Sequence, residues 1–192
     1  MNAAVYVLFR RRTLFLFAAS VLMLVVAKPT PEVFWIGLPF VAGGEAIRVW
    51  SAGYLTKLSG LVTAGPFALC RNPLYIGSFL ISVGYFIMCH RIDVWILGTT
   101  LFWLFHGGAV IYEERLLREK FGEEYTQYCK TVPRFIPHIR DLGGAGRFSL
   151  SRVMANDEYR GAVTTVVVTA LYGFMAYDCF SILSWLSDAL PG

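Results

Sequence analysis

The sequence predicts an all-α fold: a polytopic membrane helical bundle of about five transmembrane helices, with a cytoplasmic helical segment completing a site. Three observations carry this. The 192 residues are 56% hydrophobic and 16% charged, against about 45–50% apolar and 25% charged in a soluble domain. Five apolar runs, 13–27, 33–54, 74–89, 94–112 and 161–187, approach the roughly 17–25 residues that a helical span needs. With the N-terminus inside, 15 of the 17 Lys and Arg fall on the cytoplasmic side, leaving Lys28 and Arg91 outside, as the positive-inside rule requires.

The first run follows Arg10-Arg11-Arg12. A signal peptide begins in that way, but Val25-Val26-Ala27-Lys28 is a poor cleavage site, so the run reads as a retained helix whose flanking Arg12 and Lys28 snorkel outward. Lys28-Pro29-Thr30-Pro31 breaks it, because proline disfavours helical geometry in the residue before it. In the second run Glu45 and Arg48 sit at i and i+3 on one face, as a self-neutralised pair or as a functional pair of intramembrane charges. Leu55–Asn72 is a polar loop, and His90-Arg91-Ile92-Asp93 is a hairpin turn between the third and fourth runs.

The polar stretch Glu113–Arg160 holds at least two helices. Glu113–Phe121 is ended by Gly122 as a left-handed C-cap, and Glu123–Lys130 follows. Lys120, near the end of the first helix, and Glu123-Glu124, at the start of the second, suit the helix dipoles. Leu117, Phe121, Tyr125 and Tyr128 recur at helical spacing and form an apolar face for the membrane or the bundle. Pro133 and Pro137 end this part. Asp141–Arg152 is glycine-rich and reads as loop, and the last run is apolar apart from Asp178. The whole reads as one integral membrane domain without an internal repeat.

Cys70, Cys89, Cys129 and Cys179 are widely spaced and read as free thiols. No Cys/His set has zinc-ligand spacing, so no metal is expected. No basic patch with interleaved aromatics points to nucleic acid. The composition does not speak to oligomeric state.

The chain is organised around Arg71-Asn72-Pro73-Leu74-Tyr75. Pro73 fits the first position of a helix and Asn72 is a favoured N-cap. Helix N-termini attract anions, and Arg71 adds a cation with forked donors. A carboxylate fits there, with Tyr75 one turn on. An arginine snorkelling at a capped helix explains the same residues. Gly77 and Gly84 share a face, as helix-packing residues do. His106 and Glu113 share a face two turns apart. Glu113 and Glu114 close a membrane helix at its C-terminus, the wrong end for acids, so Arg71, Arg134 or a cationic ligand should stabilise them. The alternative is a solvated helix start with Glu114 pairing to Arg118.

Gly65-Pro66-Phe67, Arg71-Asn72-Pro73-Leu74-Tyr75-Ile76-Gly77, Glu113-Glu114-Arg115-Leu116-Leu117, Phe121-Gly122-Glu123-Glu124-Tyr125 and Val132-Pro133-Arg134-Phe135-Ile136-Pro137 together resemble the isoprenylcysteine carboxyl methyltransferase and phospholipid methyltransferase family. Arg48-Val49-Trp50 and Gly53 fit its upstream pattern, and the likeness covers about residues 44–137. It implies a small integral membrane enzyme that uses S-adenosylmethionine to methylate a lipophilic acceptor, a carboxylate or an amine, at the cytoplasmic face of, for a bacterium, the inner membrane. It implies that Arg71, Asn72 and Tyr75 hold the cofactor's amino-acid end, that Gly77, Gly84 and Tyr85 line the approach, and that Glu113, with Glu114 and His106, binds its polar or cationic parts. Arg134 completes the site and orients a carboxylate acceptor, while Glu114 is the base for an amine. The family's histidine is Asn72 here. An amide hydrogen-bonds a carboxylate but does not titrate near neutral pH, so the likeness implies cofactor binding at this position and no proton transfer.

Two other functions share parts of this pattern. Sterol-type membrane reductases carry a similar turn and bind NADPH, and a non-enzymatic scaffold needs no site. A transporter is disfavoured by the lack of a repeat or a broken-helix pair. Asp141-Leu142-Gly143-Gly144-Ala145-Gly146 looks like the glycine loop of Rossmann-like methyltransferases, but the βαβ context that such a loop requires is missing.

Overall fold

A computed structural model of the chain describes residues 21–56, 60–138 and 146–178. These are helical, and there is no strand among the described residues. Residues 21–26 are helical, followed by the expected break. Then come α1 (Pro31–Tyr54), the single turn α2 (Pro66–Leu69), α3 (Pro73–Cys89) and α4 (Ile92–Phe102). A π-turn at Trp103–Gly107 joins α4 to α5 (Gly108–Thr131), and α6 (Leu150–Ala155) and α7 (Glu158–Ala176) complete the order. Residues 13–20 of the first expected span, Asp141–Ala145 of the glycine stretch, residues 179–187 of the last span and Cys179 lie outside the described residues.

Proline starts α1, α2 and α3 in their first turns, where its missing N–H and fixed φ suit a helix beginning. His90 ends α3 in the left-handed region, φ 56° and ψ 39°, and turns the chain into α4. Gly122 lies inside α5 at φ 52° and ψ −118°. It divides α5 into the two helices expected on either side of it, with a backbone that a side chain would strain.

α1 and α3 form the central antiparallel pair. A Cβ on Gly44 would stand 2.5 Å from the Gly77 carbonyl oxygen, and one on Gly37 would stand 2.6 Å from that of Gly84. Four glycines thus let two backbones touch, which is how helices pack where lipid removes the hydrophobic drive. α7 lies along the pair. Tyr172 stacks on Tyr85 at 5.6 Å between ring centroids and joins Val41, Met88 and Cys89 in a buried cluster. A second cluster holds Tyr125, Tyr128 and Val132 with Leu61, Leu117 and Phe121, so the apolar face of α5 packs on the chain itself.

α1 and the continuous 40-residue stretch Ile92–Thr131 are long and apolar enough to cross a membrane. α3 is apolar but shorter, at 17 residues. Large apolar side chains face outward, among them Leu97 at 58% and Val166 at 67% exposure, as lipid contact requires. Cys70, Cys89 and Cys129 are free thiols.

Three sequence expectations change. The glycine-rich segment is not loop throughout, since Leu150–Ala155 is helical. Glu45 and Arg48 do not pair with each other. Arg48 reaches α7, donating from Nε to Glu158 Oε1 at 2.7 Å, and also donates to Ser78 on α3, while Glu45 accepts from Thr165 at 2.9 Å. The last helix therefore begins at Glu158, before the apolar run, because Glu158 is the buried counter-charge of Arg48. Asn156 fastens the same junction by donating to the carbonyls of Ala52 at 3.0 Å and Leu55 at 2.9 Å, at the helix end where carbonyls run short of backbone donors.

Candidate active site

The site forms where the turn before α3 meets α5 and the segment after it. Gly65, at φ 61° and ψ −131°, starts α2. Its missing Cβ makes room for the Tyr54 ring, which such an atom would approach to 2.7 Å. Two backbone hydrogen bonds then join the turn to residues 133–138: Arg71 N donates to Pro133 O at 2.8 Å and His138 N to Leu69 O at 3.0 Å. Tyr128 adds a buried bond, its hydroxyl donating to Phe67 O at 2.6 Å. Tyr128→Phe should leave that carbonyl unsatisfied and destabilise the fold by about 1–2 kcal/mol, read as a lower unfolding midpoint in detergent with helix content unchanged.

The centre is Glu114, 6% exposed. Arg134 forks onto it, with Nε 3.2 Å from both carboxylate oxygens and Nη2 2.7 Å from Oε2. Asn72 Nδ2 donates to Oε1 at 3.0 Å and to the Arg134 carbonyl at 3.3 Å. Arg71 Nε stands 3.5 Å from Oε1, buried and without a hydrogen-bond acceptor in the protein. Glu113 and Glu114 do not close a helix as expected, because α5 runs on past them to its break at Gly122; Glu114 is stabilised by cations from two distant segments. Glu114 does not pair with Arg118. The neighbouring i,i+4 pair is Arg115–Glu119, on the exposed side at 2.9 Å. The hydrogen bonds it donates to Glu114 hold the Arg134 guanidinium above its ordinary pKa, and burial pushes the Cys70 thiol, beside the turn, up to about 11.

Asn72 occupies the N-cap position of α3 without capping it by its side chain; the amide is turned to Glu114 instead. Tyr75 donates to Glu113 Oε1 at 2.8 Å. Arg71, Asn72, Tyr75, Glu113 and Glu114 line one cavity of about 320 Å³. Lys120 lines it too. It stands seven residues after Glu113, the spacing that relates His106 to Glu113, but its place near a helix end read as a dipole effect.

The structure does not bring the other expected residues into this cavity. His106 lies in the π-turn, stacked on Phe102 at 4.1 Å and edge-on to Tyr75 at 5.8 Å. There it lines a second, almost wholly apolar groove of about 300 Å³ with Phe79, Trp103 and Phe135. Tyr75 borders both spaces. Gly77 and Gly84 face α1, where they make the close backbone contact, and Tyr85 bonds to the Thr165 carbonyl of α7 at 2.9 Å.

Residues 33–124 match the family model described as phospholipid methyltransferase. The chain is 30% identical over 112 residues to the cobalt-zinc-cadmium resistance protein CzcN of Cupriavidus metallidurans, covering 57% of this chain and 51% of that protein. It is 32% identical over 122 residues to protein-S-isoprenylcysteine O-methyltransferase B of Arabidopsis thaliana, covering 55% and 61%. It is 41% identical over 127 residues to protein-S-isoprenylcysteine O-methyltransferase of Mus musculus, covering 58% and 44%. The chain thus spans about half the length of the curated relatives it matches. No solved structure matches it. Residues 33–124, which contain the Arg71–Asn72–Tyr75 turn and Glu113-Glu114, are thus similar to the phospholipid methyltransferase family.

Proposed function

We propose that the protein is a single-domain integral membrane methyltransferase of about five spans, moving a methyl group from S-adenosylmethionine to a lipophilic acceptor at the cytoplasmic face. One observation carries the reading: Arg71, Asn72 and Arg134, from segments far apart in the chain, converge on buried Glu114 beside a cavity.

The residues present fit the cofactor. Its amino-acid end carries a carboxylate and an ammonium. The cavity offers Arg71, whose buried Nε lacks an acceptor, together with Glu113 and Tyr75; these would hold that end. Its volume falls in the usual range of small-molecule sites, roughly 300–1,000 Å³. When bound, S-adenosylmethionine supplies an electrophilic sulfonium methyl. The chain's own part is to position the acceptor in line, which carries much of such a displacement.

The hydrogen bonding favours an acceptor that is already anionic. Glu114 accepts from three N–H groups: Asn72 Nδ2 on Oε1, Arg134 Nη2 on Oε2, and Arg134 Nε shared between the two oxygens. It thus serves as the anchor of two guanidinium groups, which leaves little of the carboxylate open to an amine. With Arg71 given to the cofactor, Arg134, 48% exposed at the side chain, is the cation that suits a carboxylate acceptor. The aromatic groove on the far side of Tyr75 suits the hydrocarbon part of that acceptor.

Titration of detergent-purified protein with S-adenosylhomocysteine and with NADPH tests the proposal. Saturable binding of S-adenosylhomocysteine alone is expected. Saturable binding of NADPH alone would replace this reading with a reductase, and binding of neither would favour a scaffold.

A further inference from the structure

Further along α1, Glu45 has no cation among the described residues. Arg48, one turn on, is taken by Glu158 and Ser78. Glu45 Oε2 accepts one hydrogen bond, from Thr165, and Oε1 is buried with no donor. The hydroxyls nearby do not supply one: Thr169 donates to the Thr165 carbonyl at 2.7 Å, and Tyr85 bonds to that carbonyl and to Thr169. An acid held inside an apolar helix without a counter-charge among the described residues is costly and marks a functional position by default, and an unmet polar atom adds to the cost.

Glu45 also lines a groove of about 650 Å³ between α1 and α7. Leu38, Val41, Val49, Trp50, Phe148 and Val166 make its walls. It shares no residue with the polar cavity or the aromatic groove. The groove therefore offers a hydrocarbon track with one acidic group along it.

We propose that this groove binds an amine-bearing amphiphile, its protonated amine against Glu45 and its hydrocarbon chain along the α1–α7 wall. The ammonium supplies both the charge and the donor that Glu45 lacks, and the apolar walls match the chain. A neutral or anionic lipid supplies no such charge. The site is independent of methyl transfer and stands or falls separately from it.

Trp50 in the groove wall provides the reporter. The full-length protein in detergent micelles is titrated with a long-chain amine carrying bromine, a heavy-atom quencher of tryptophan fluorescence, and with a bromine-tagged alcohol of equal length. The amine should give a saturable quenching component and the alcohol only the linear quenching of micellar partition. Trp50→Phe should remove the saturable component, and Glu45→Gln should weaken it at least tenfold with thermal stability kept. Linear quenching by the amine, equal saturation by the alcohol, or an unchanged component in Glu45→Gln would overturn the proposal. The amine-against-alcohol comparison on the unaltered protein decides it even should the variant fail to fold.

Discussion

Glu114→Gln should abolish the proposed methyl transfer, with a loss of at least about a hundredfold in turnover, and should weaken binding of S-adenosylhomocysteine. The substitution keeps the size of the side chain but removes the charge that Arg71 and Arg134 share, and its new N–H₂ group faces donors. Removing one partner from a buried ion pair costs about 3–5 kcal/mol. The figure here should fall near the lower end, because Arg134 is half exposed and water takes up part of its charge. The helices should remain, since the glycine contacts between α1 and α3 do not depend on Glu114. Initial rates, nucleotide affinity and far-ultraviolet circular dichroism of the purified variant check all three. Unchanged rate and affinity would reduce Glu114 to a structural anchor. Glu114→Asp should recover part of the activity, as it restores the charge at a shorter reach.

Gly77→Leu should have the largest effect on stability. A Cβ at this position already meets the Gly44 carbonyl oxygen at 2.6 Å and Arg48 Cγ at 2.7 Å, so backbone as well as side chain must give way. Overpacking a well-filled interior typically costs 1–3 kcal/mol. A contact with rigid backbone belongs at the upper end, about 3 kcal/mol. Gly44→Leu presses on the same interface, with its Cβ 2.5 Å from the Gly77 oxygen, and should cost a similar amount. Together they should cost less than the sum, since the first substitution to part the helices relieves the second. Unfolding midpoints in detergent for the two single variants and the double variant measure this, and unchanged midpoints would contradict the packing.

What the sequence reveals and what it hides divide along physical lines. Local signals read well. Prolines and charges bound the helices, Gly122 breaks α5 where a left-handed residue was expected, and Gly77 and Gly84 serve the packing that their spacing suggested. The joining of Arg71 to Glu114 was legible through the charge rule, which put both on one side of a helical hairpin. Side-chain aim was not legible. Asn72 sits where a cap belongs but turns to Glu114, and Tyr85 and His106 leave the polar cavity because α7 and Phe102 hold them. Nor does any local pattern announce that Arg48 would pass over Glu45 for a partner 110 residues away.

That last pairing bears on how the protein is made. Arg48 is translated long before Glu158 leaves the ribosome, and the end of α1 waits as long for Asn156. A nascent chain stopped after the glutamate pair would hold both halves of the Arg71–Glu114 contact, yet it would leave Arg48 without its counter-charge. Docking of α7 is therefore the step that completes the first hairpin, and a chain truncated before Glu158 should unfold at a lower midpoint in detergent.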